Sequence, residues 1–162
     1  MLQTQEELLK ILSDMGIEYT NHEHPPVFTV EEAALHHGGI EGVHSKNLFL
    51  KDKKKQLFLV VTLAEKSIKI KELAKKIGAQ SPSFGKADLL MASLGVIPGA
   101  VTPFAAVNIK EHRVEVILDE EMMENRLLNF HPLVNTATTT ISPRDLIRFL
   151  EHCHGRPSII RL

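Results

Sequence analysis

Lys46-Asn47-Leu48-Phe49-Leu50-Lys51-Asp52-Lys53-Lys54-Lys55-Gln56-Leu57-Phe58-Leu59-Val60-Val61-Thr62-Leu63-Ala64 holds two apolar runs around a charged break. The runs, Lys46 to Lys51 and Gln56 to Ala64, have strand length. Asp52 to Lys55 supplies the turn, so the stretch predicts a β-hairpin with a charged tip. Leu48-Phe49-Leu50 and Leu57 to Val61 are almost unbroken apolar sequence. Strands without polar alternation are covered on both faces, so helices are expected on either side of this hairpin.

Working outward, Ile70, Leu73, Ala74 and Ile77 keep a helical spacing that Gly78 ends. Lys86 to Leu94 predicts a further helix with Leu89, Leu90 and Leu94 inward. Ala105 to Ile109 and Arg113 to Leu118 predict a second hairpin around Lys110-Glu111-His112, and Glu120 to Glu124 a helical turn. Leu127 to Phe130 and Thr136 to Ile141 are expected strands. Ser142 as N-cap, Pro143 at the first helical position and Asp145 at the third open a last helix that stops near Gly155. Upstream, Thr4 and Glu7 form a capping-box pattern for a helix reaching about Met15, where Gly16 ends it. Ile17 to His24 is an expected strand that Pro25-Pro26 stops, and Thr29 with Glu32 opens a short helix through about His37. Interspersed helices and hairpin-linked strands predict an α+β fold, a mixed and mainly antiparallel sheet with packed helices, in a single domain over 1–162.

The bulk properties exclude several classes. Hydrophobic residues make up 43% and charged residues 24% of the 162 residues, values of an ordinary globular chain. Aromatics are 5%, with no Trp, which argues against a broad base-stacking platform. The net charge is −1, so positive charge is local. It gathers at Lys51, Lys53, Lys54 and Lys55 and again at Lys66, Lys69, Lys71, Lys75 and Lys76, where a solvated surface is the plain alternative to phosphate contacts. The lone Cys153 and the absence of a signal-peptide pattern predict a cytoplasmic protein, and no apolar run has bilayer length, so no membrane partner is expected.

Standard catalytic motifs are missing. Gly78 to Lys86 lacks P-loop spacing, and there is no Gly-x-Ser-x-Gly elbow. Cys153 between His152 and His154 does not converge on a metal, because adjacent helical residues diverge. His22 and His24 share a strand face, yet no Cys or second spaced His pair completes a zinc site. His36-His37 reads as a charge-compensating helix end. No metal or cofactor is expected. Three features remain. Gly95-Val96-Ile97-Pro98-Gly99-Ala100-Val101-Thr102-Pro103-Phe104 is a stiff apolar loop able to present main-chain groups to a ligand, or else a buried connection. Lys46-Asn47 puts a point charge and a donor–acceptor amide at a strand start. His131-Pro132, with Asn135 and Thr136, makes a polar turn between apolar stretches.

Together with His24-Pro25-Pro26-Val27-Phe28-Thr29 and Glu31-Glu32-Ala33, the Lys46–Asp52 segment, Gly95–Phe104, and Phe130-His131-Pro132 with Asn135 and Thr138 resemble the YbaK/prolyl-tRNA synthetase-associated editing family. The resemblance is greatest to its free-standing prolyl-tRNA deacylase branch (PrdX, ProXp-ala), and it covers most of the chain. Gly99-Ala100-Val101-Thr102-Pro103 matches the family's G-x-x-x-P motif, Lys46 its invariant lysine, and His131 a pocket histidine of the alanine-specific branch. The resemblance implies hydrolysis of mischarged tRNA(Pro), with alanine as the wrong amino acid. It also implies tRNA(Pro) and prolyl-tRNA synthetase as partners, for a monomer or weak homodimer. An aminoacyl ester is already activated, which suits a site without a nucleophile. The expected roles are main-chain groups near Gly99 and Ala100 on the developing oxyanion, Lys46 on the terminal phosphate or the ester, and Asn47 on the ribose or amino acid. His131 lines the pocket or acts as base. Val96, Ile97, Val101 and Phe104 form its wall, with Thr102, Pro103 and Asn135 also at the substrate. Lys66, Lys69, Lys71, Lys75 and Lys76 are the expected tRNA contacts. A non-catalytic module of the same fold that binds an aminoacyl-like small molecule is the alternative.

Overall fold

The computed structural model describes residues 2–26, 39–110 and 113–162. The expected hairpin is its centre: β2 (Val43–Lys51) pairs antiparallel with β3 (Leu57–Leu63). Asp52 ties the tip, its carboxylate accepting from the main-chain N–H of Lys54 and Gln56 at 2.9 Å and Gln80 at 3.1 Å.

Among the described residues the sheet has eight strands, with β1 (Thr20–Glu23), β4 (Ser83–Phe84), β5 (Val114–Asp119), β6 (Leu128–Phe130), β7 (Ala137–Ile141) and β8 (Ser158–Ile160) completing it. Its order is β1-β7-β6-β2-β3-β5-β8, and β4 pairs with β2 off that path. The β1–β7, β6–β7, β2–β3 and β2–β4 pairs are antiparallel. The β2–β6, β3–β5 and β5–β8 pairs are parallel, so the sheet is mixed and mainly antiparallel.

Both faces of the hairpin are covered, as its continuous apolar sequence requires. On one face Phe49, Leu59 and Val61 pack with α1 (Gln5–Asp14), α3 (Ala87–Leu94) and α4 (Pro143–Cys153) through Leu8, Leu12, Leu90, Leu94, Leu146, Phe149 and Leu150. On the other, Leu50, Phe58 and Val60 meet Leu73 and Ile77 of α2 (Ile70–Ile77). The caps follow the sequence. Thr4 and Glu7 form a reciprocal capping box, Ser142 accepts from Asp145 N–H, and Gly78 and Gly95 end α2 and α3 in the left-handed region.

The second hairpin does not form. Pro103–Asn108 is a 3-10 helix, and β5 pairs parallel with β3 instead of antiparallel with residues 105–109. Thr102 caps the helix by accepting from Phe104 N–H, Pro103 stands at its first position, and Ala105 and Ala106 are fully buried. A Thr-Pro helix start thus overrides the short apolar run that resembled a strand. Lys110 is the one residue of the expected tip that is described; Glu111 and His112 lie outside the described residues, as does the helix expected from Thr29 to His37.

Candidate active site at a gap in the sheet

One edge of β2 is shared by two short strands that do not meet. β6 pairs with β2 at Val43–Leu128 and His44–Asn129, and β4 pairs at Leu50–Phe84 and Lys51–Ser83. Between them, over Lys46, Asn47 and Leu48, no strand of the described residues pairs with that edge. Main-chain groups alternate along a strand. His44 O accepts from Ala64 N–H on the β3 side, while Phe49 O accepts from Gly85 N–H on the β4 side. Asn47, two residues before Phe49, therefore turns its N–H and C=O into the gap. Its side chain is also poorly satisfied: Nδ2 reaches Ser45 Oγ only at 3.4 Å, and the buried Oδ1 has no partner among the described residues. An orphaned buried acceptor costs stability, and a ligand donor is one way to repair it.

Side chains alternate too. Lys46 shares the face of Leu48 and Leu50, and Asn47 the face of Phe49. The half-buried Lys46 ammonium donates to the carbonyl of Lys66. β6 ends at Phe130, so His131 follows directly on the strand that borders the gap.

His131 Nδ1 lies 2.9 Å from the carbonyl of Ala137. A carbonyl only accepts, so Nδ1 carries the proton and Nε2 keeps a lone pair. Burial pushes the His131 pKa down, and neighbouring His24 adds to this against the opposing carbonyl bond, leaving it below the usual histidine value. The His24 ring centroid is 6.1 Å away, and its Nε2 is 2.8 Å from Thr138 Oγ1. The fold thus joins His24 and His131, which the sequence reading never paired. The antiparallel His22–Thr138 register of β1 and β7 is what brings them together.

The Gly/Pro loop is a buried anchor with an exposed tip. Ala100 N–H donates to Ile97 O at 3.0 Å, with Pro98 next and Gly99 at φ 91°, a type II turn. This differs from the expected use of Ala100, whose N–H closes the turn. Gly99 and Val101 N–H make no hydrogen bond among the described residues. Val96 and Phe104 are 1% and 0% exposed, and Phe104 stacks edge-on against Phe130 and Phe149. They are core and offer no wall to a ligand. Ile97 is 46% exposed and Val101 half-buried, so those two carry the accessible apolar surface. Thr102 and Pro103 are buried in the helix start. Asn135 is also buried, in the turn after His131.

The lysines divide. Lys66 Nζ contacts Asp119 at 2.7 Å, Glu121 at 2.9 Å and the carbonyl of Leu162 at 3.2 Å. All three ammonium protons have acceptors, so Lys66 has none left for a phosphate. Lys69, Lys71, Lys75 and Lys76 are exposed on α2 or at its start and form no ion pair among the described residues. His22 lines a separate cleft of about 790 Å³ with Tyr19, Glu41 and Arg126, apart from the contacts of His24. The described residues contain no group of three side chains able to hold a metal.

Residues 24–149 match the aminoacyl-tRNA editing domain family. The chain is 40% identical over 158 residues to prolyl-tRNA synthetase associated domain-containing protein 1 of Danio rerio, covering 96% of this chain and 86% of that protein. It is 35% identical over 153 residues to the prolyl-tRNA editing protein ProX of Acetoanaerobium sticklandii, covering 93% and 92%. A crystallised candidate trans-editing enzyme for prolyl-tRNA synthetase shares the fold, with TM-score 0.71 at 16% identity over 100% of this chain and 99% of that one. The matched segment holds the gap in the sheet, the Gly/Pro turn and the His24–His131 pair, and the chain belongs to the aminoacyl-tRNA editing domain family.

Proposed function

We propose that this protein is a trans-editing hydrolase that removes alanine from mischarged tRNA(Pro). The observation that carries the reading is the unsatisfied polar edge at Asn47, next to Lys46, in a chain of the editing family. Asn47 Oδ1 accepts from the ammonium or ribose hydroxyl of the aminoacyl end. Lys46 leaves the Lys66 carbonyl for the terminal phosphate or the ester. Gly99 and Val101 N–H, not Ala100 N–H, are the main-chain donors left for the developing oxyanion. One such preorganised donor contributes about 3–4 kcal/mol. His131, neutral and with Nε2 unprotonated, accepts a proton or a hydrogen bond from the attacking water. The ester is activated, so placement of water and ester is the main task.

Selection against proline follows from size. A synthetase site built for proline rejects alanine by only about 1–3 kcal/mol per missing methylene, so a second, smaller pocket is needed. Ile97 and Val101 are its wall in this reading. Lys69, Lys71, Lys75 and Lys76 remain proposed phosphate contacts, and prolyl-tRNA synthetase a proposed partner.

Ala-tRNA(Pro) and Pro-tRNA(Pro) are incubated with the protein, with and without chelator, and free amino acid is measured. Chelator-resistant release of alanine and sparing of proline is expected. Binding of Ala-tRNA(Pro) without release would overturn the enzyme in favour of a binding module, and chelator-sensitive release would overturn the metal-free mechanism.

A further inference from the structure

Phe84 is 61% exposed, the most exposed of the large apolar side chains in the described residues. It stands on β4, the strand that closes one end of the gap. Its position is built. Gly85 lies so close to Phe49 that a Cβ there would meet the ring at 2.4 Å, and Gly85 N–H donates to Phe49 O at 2.9 Å. The missing side chain lets β4 lie down on β2 at this point. Phe84 pairs with Leu50, so its ring lies on the sheet face that also carries Lys46.

Two lysines stand near it along the chain: Lys53, whose main-chain N–H donates to Gln80 O at 2.8 Å, and Lys86, two residues on. Both are exposed, and neither forms an ion pair among the described residues. A bare ring with exposed lysines beside it fits an unpaired nucleotide, which offers a π-face and a phosphate together.

We infer that Phe84 is a stacking platform for an unpaired base at the 3′ end of the RNA, with Lys53 and Lys86 on the adjacent phosphates. The inference rests on the editing reading above. It assigns a nucleic-acid role to a single exposed ring in a chain whose scarce aromatics excluded a broad platform.

The chain has no Trp, so Phe84→Trp installs a sole indole reporter. Uncharged tRNA(Pro) and a short single-stranded RNA ending in CCA are titrated against it. Saturable quenching that weakens with salt is expected, whereas Ile159→Trp, at another exposed apolar position, stays unquenched. Phe84→Leu, which keeps an apolar side chain without the ring, should lower kcat/KM on Ala-tRNA(Pro) by about tenfold or more. No quenching by either RNA, or quenching only by added prolyl-tRNA synthetase, overturns the inference. Quenching without hydrolysis by the unsubstituted protein upholds the stacking site and defeats the hydrolase. Hydrolysis indifferent to Phe84→Leu, without quenching, does the reverse.

Discussion

Two polar clusters lie beside the central hairpin, and they are built on opposite plans. At Asp119 every demand is met. Its buried carboxylate takes hydrogen bonds from Thr62 at 2.6 Å, Lys66 at 2.7 Å and Glu121 N–H at 3.1 Å. Burial alone would raise its pKa, but those donors outweigh burial and hold it below the usual carboxylate value. At Asn47 the main chain faces a gap and Oδ1 has no partner among the described residues. The two sites are separated by little more than one strand, since Lys46 pairs with Thr62 across the hairpin. A closed polar cluster contributes to the fold, whereas an open one costs stability, and the proposed function gives that cost a purpose.

The comparison predicts opposite costs. Asp119→Ala leaves the half-buried Lys66 ammonium without one of its two carboxylates and Thr62 Oγ1 without its acceptor, and should lose about 2–3 kcal/mol in urea unfolding. A loss under about 1 kcal/mol would erase the contrast. Lys46→Ala and Asn47→Ala should reverse the pattern. Each is expected to slow single-turnover deacylation of Ala-tRNA(Pro) by about a hundredfold, within the range for loss of one preorganised contact. Unfolding free energy should stay within about 0.5 kcal/mol. A large stability loss with normal turnover would return both residues to a structural role.

The pH dependence is the next largest effect. The His131 pKa is lowered in the folded chain, so its neutral form favours folding. That contribution is present above the unfolded value near 6.5 and lost as pH falls through the folded value. Deacylation, corrected for spontaneous ester hydrolysis, should hold constant through neutral pH and decline only as pH falls through the lowered folded value. His131→Gln should remove that inflection, and an inflection that survives the substitution assigns it to another group. Smallest is the pocket wall. Ile97→Ala and Val101→Ala should move the alanine-to-proline ratio of kcat/KM toward proline by about tenfold. An unchanged ratio in folded variants would take the wall away from these two residues.

The hairpin and the helix caps were legible because each is a local signal. Alternation, capping and turn chemistry act over a few residues. Residues 105–109 misled because two alanines and two β-branched residues suit a strand, and the Thr102-Pro103 start was the weaker-looking but decisive sign. β8 was missed because Ser158–Ile160 is too short to show a period, and it forms only by adding to β5. Lys66 looked like its neighbours in sequence. Its partner Asp119 is 53 residues away, and only the sheet brings them together. The gap itself is a failure of two short strands to meet, which no sequence pattern announces.

The most direct test uses alanine joined by an amide to a terminal 3′-amino adenosine, a form of the substrate end that resists hydrolysis. Amide shifts are followed in a ¹H–¹⁵N NMR titration. The account predicts the largest changes at Asn47, Gly99 and Val101, with Asp119 and Glu121 unmoved. Changes centred on the Tyr19–Arg126 cleft, with Asn47 silent, would contradict it.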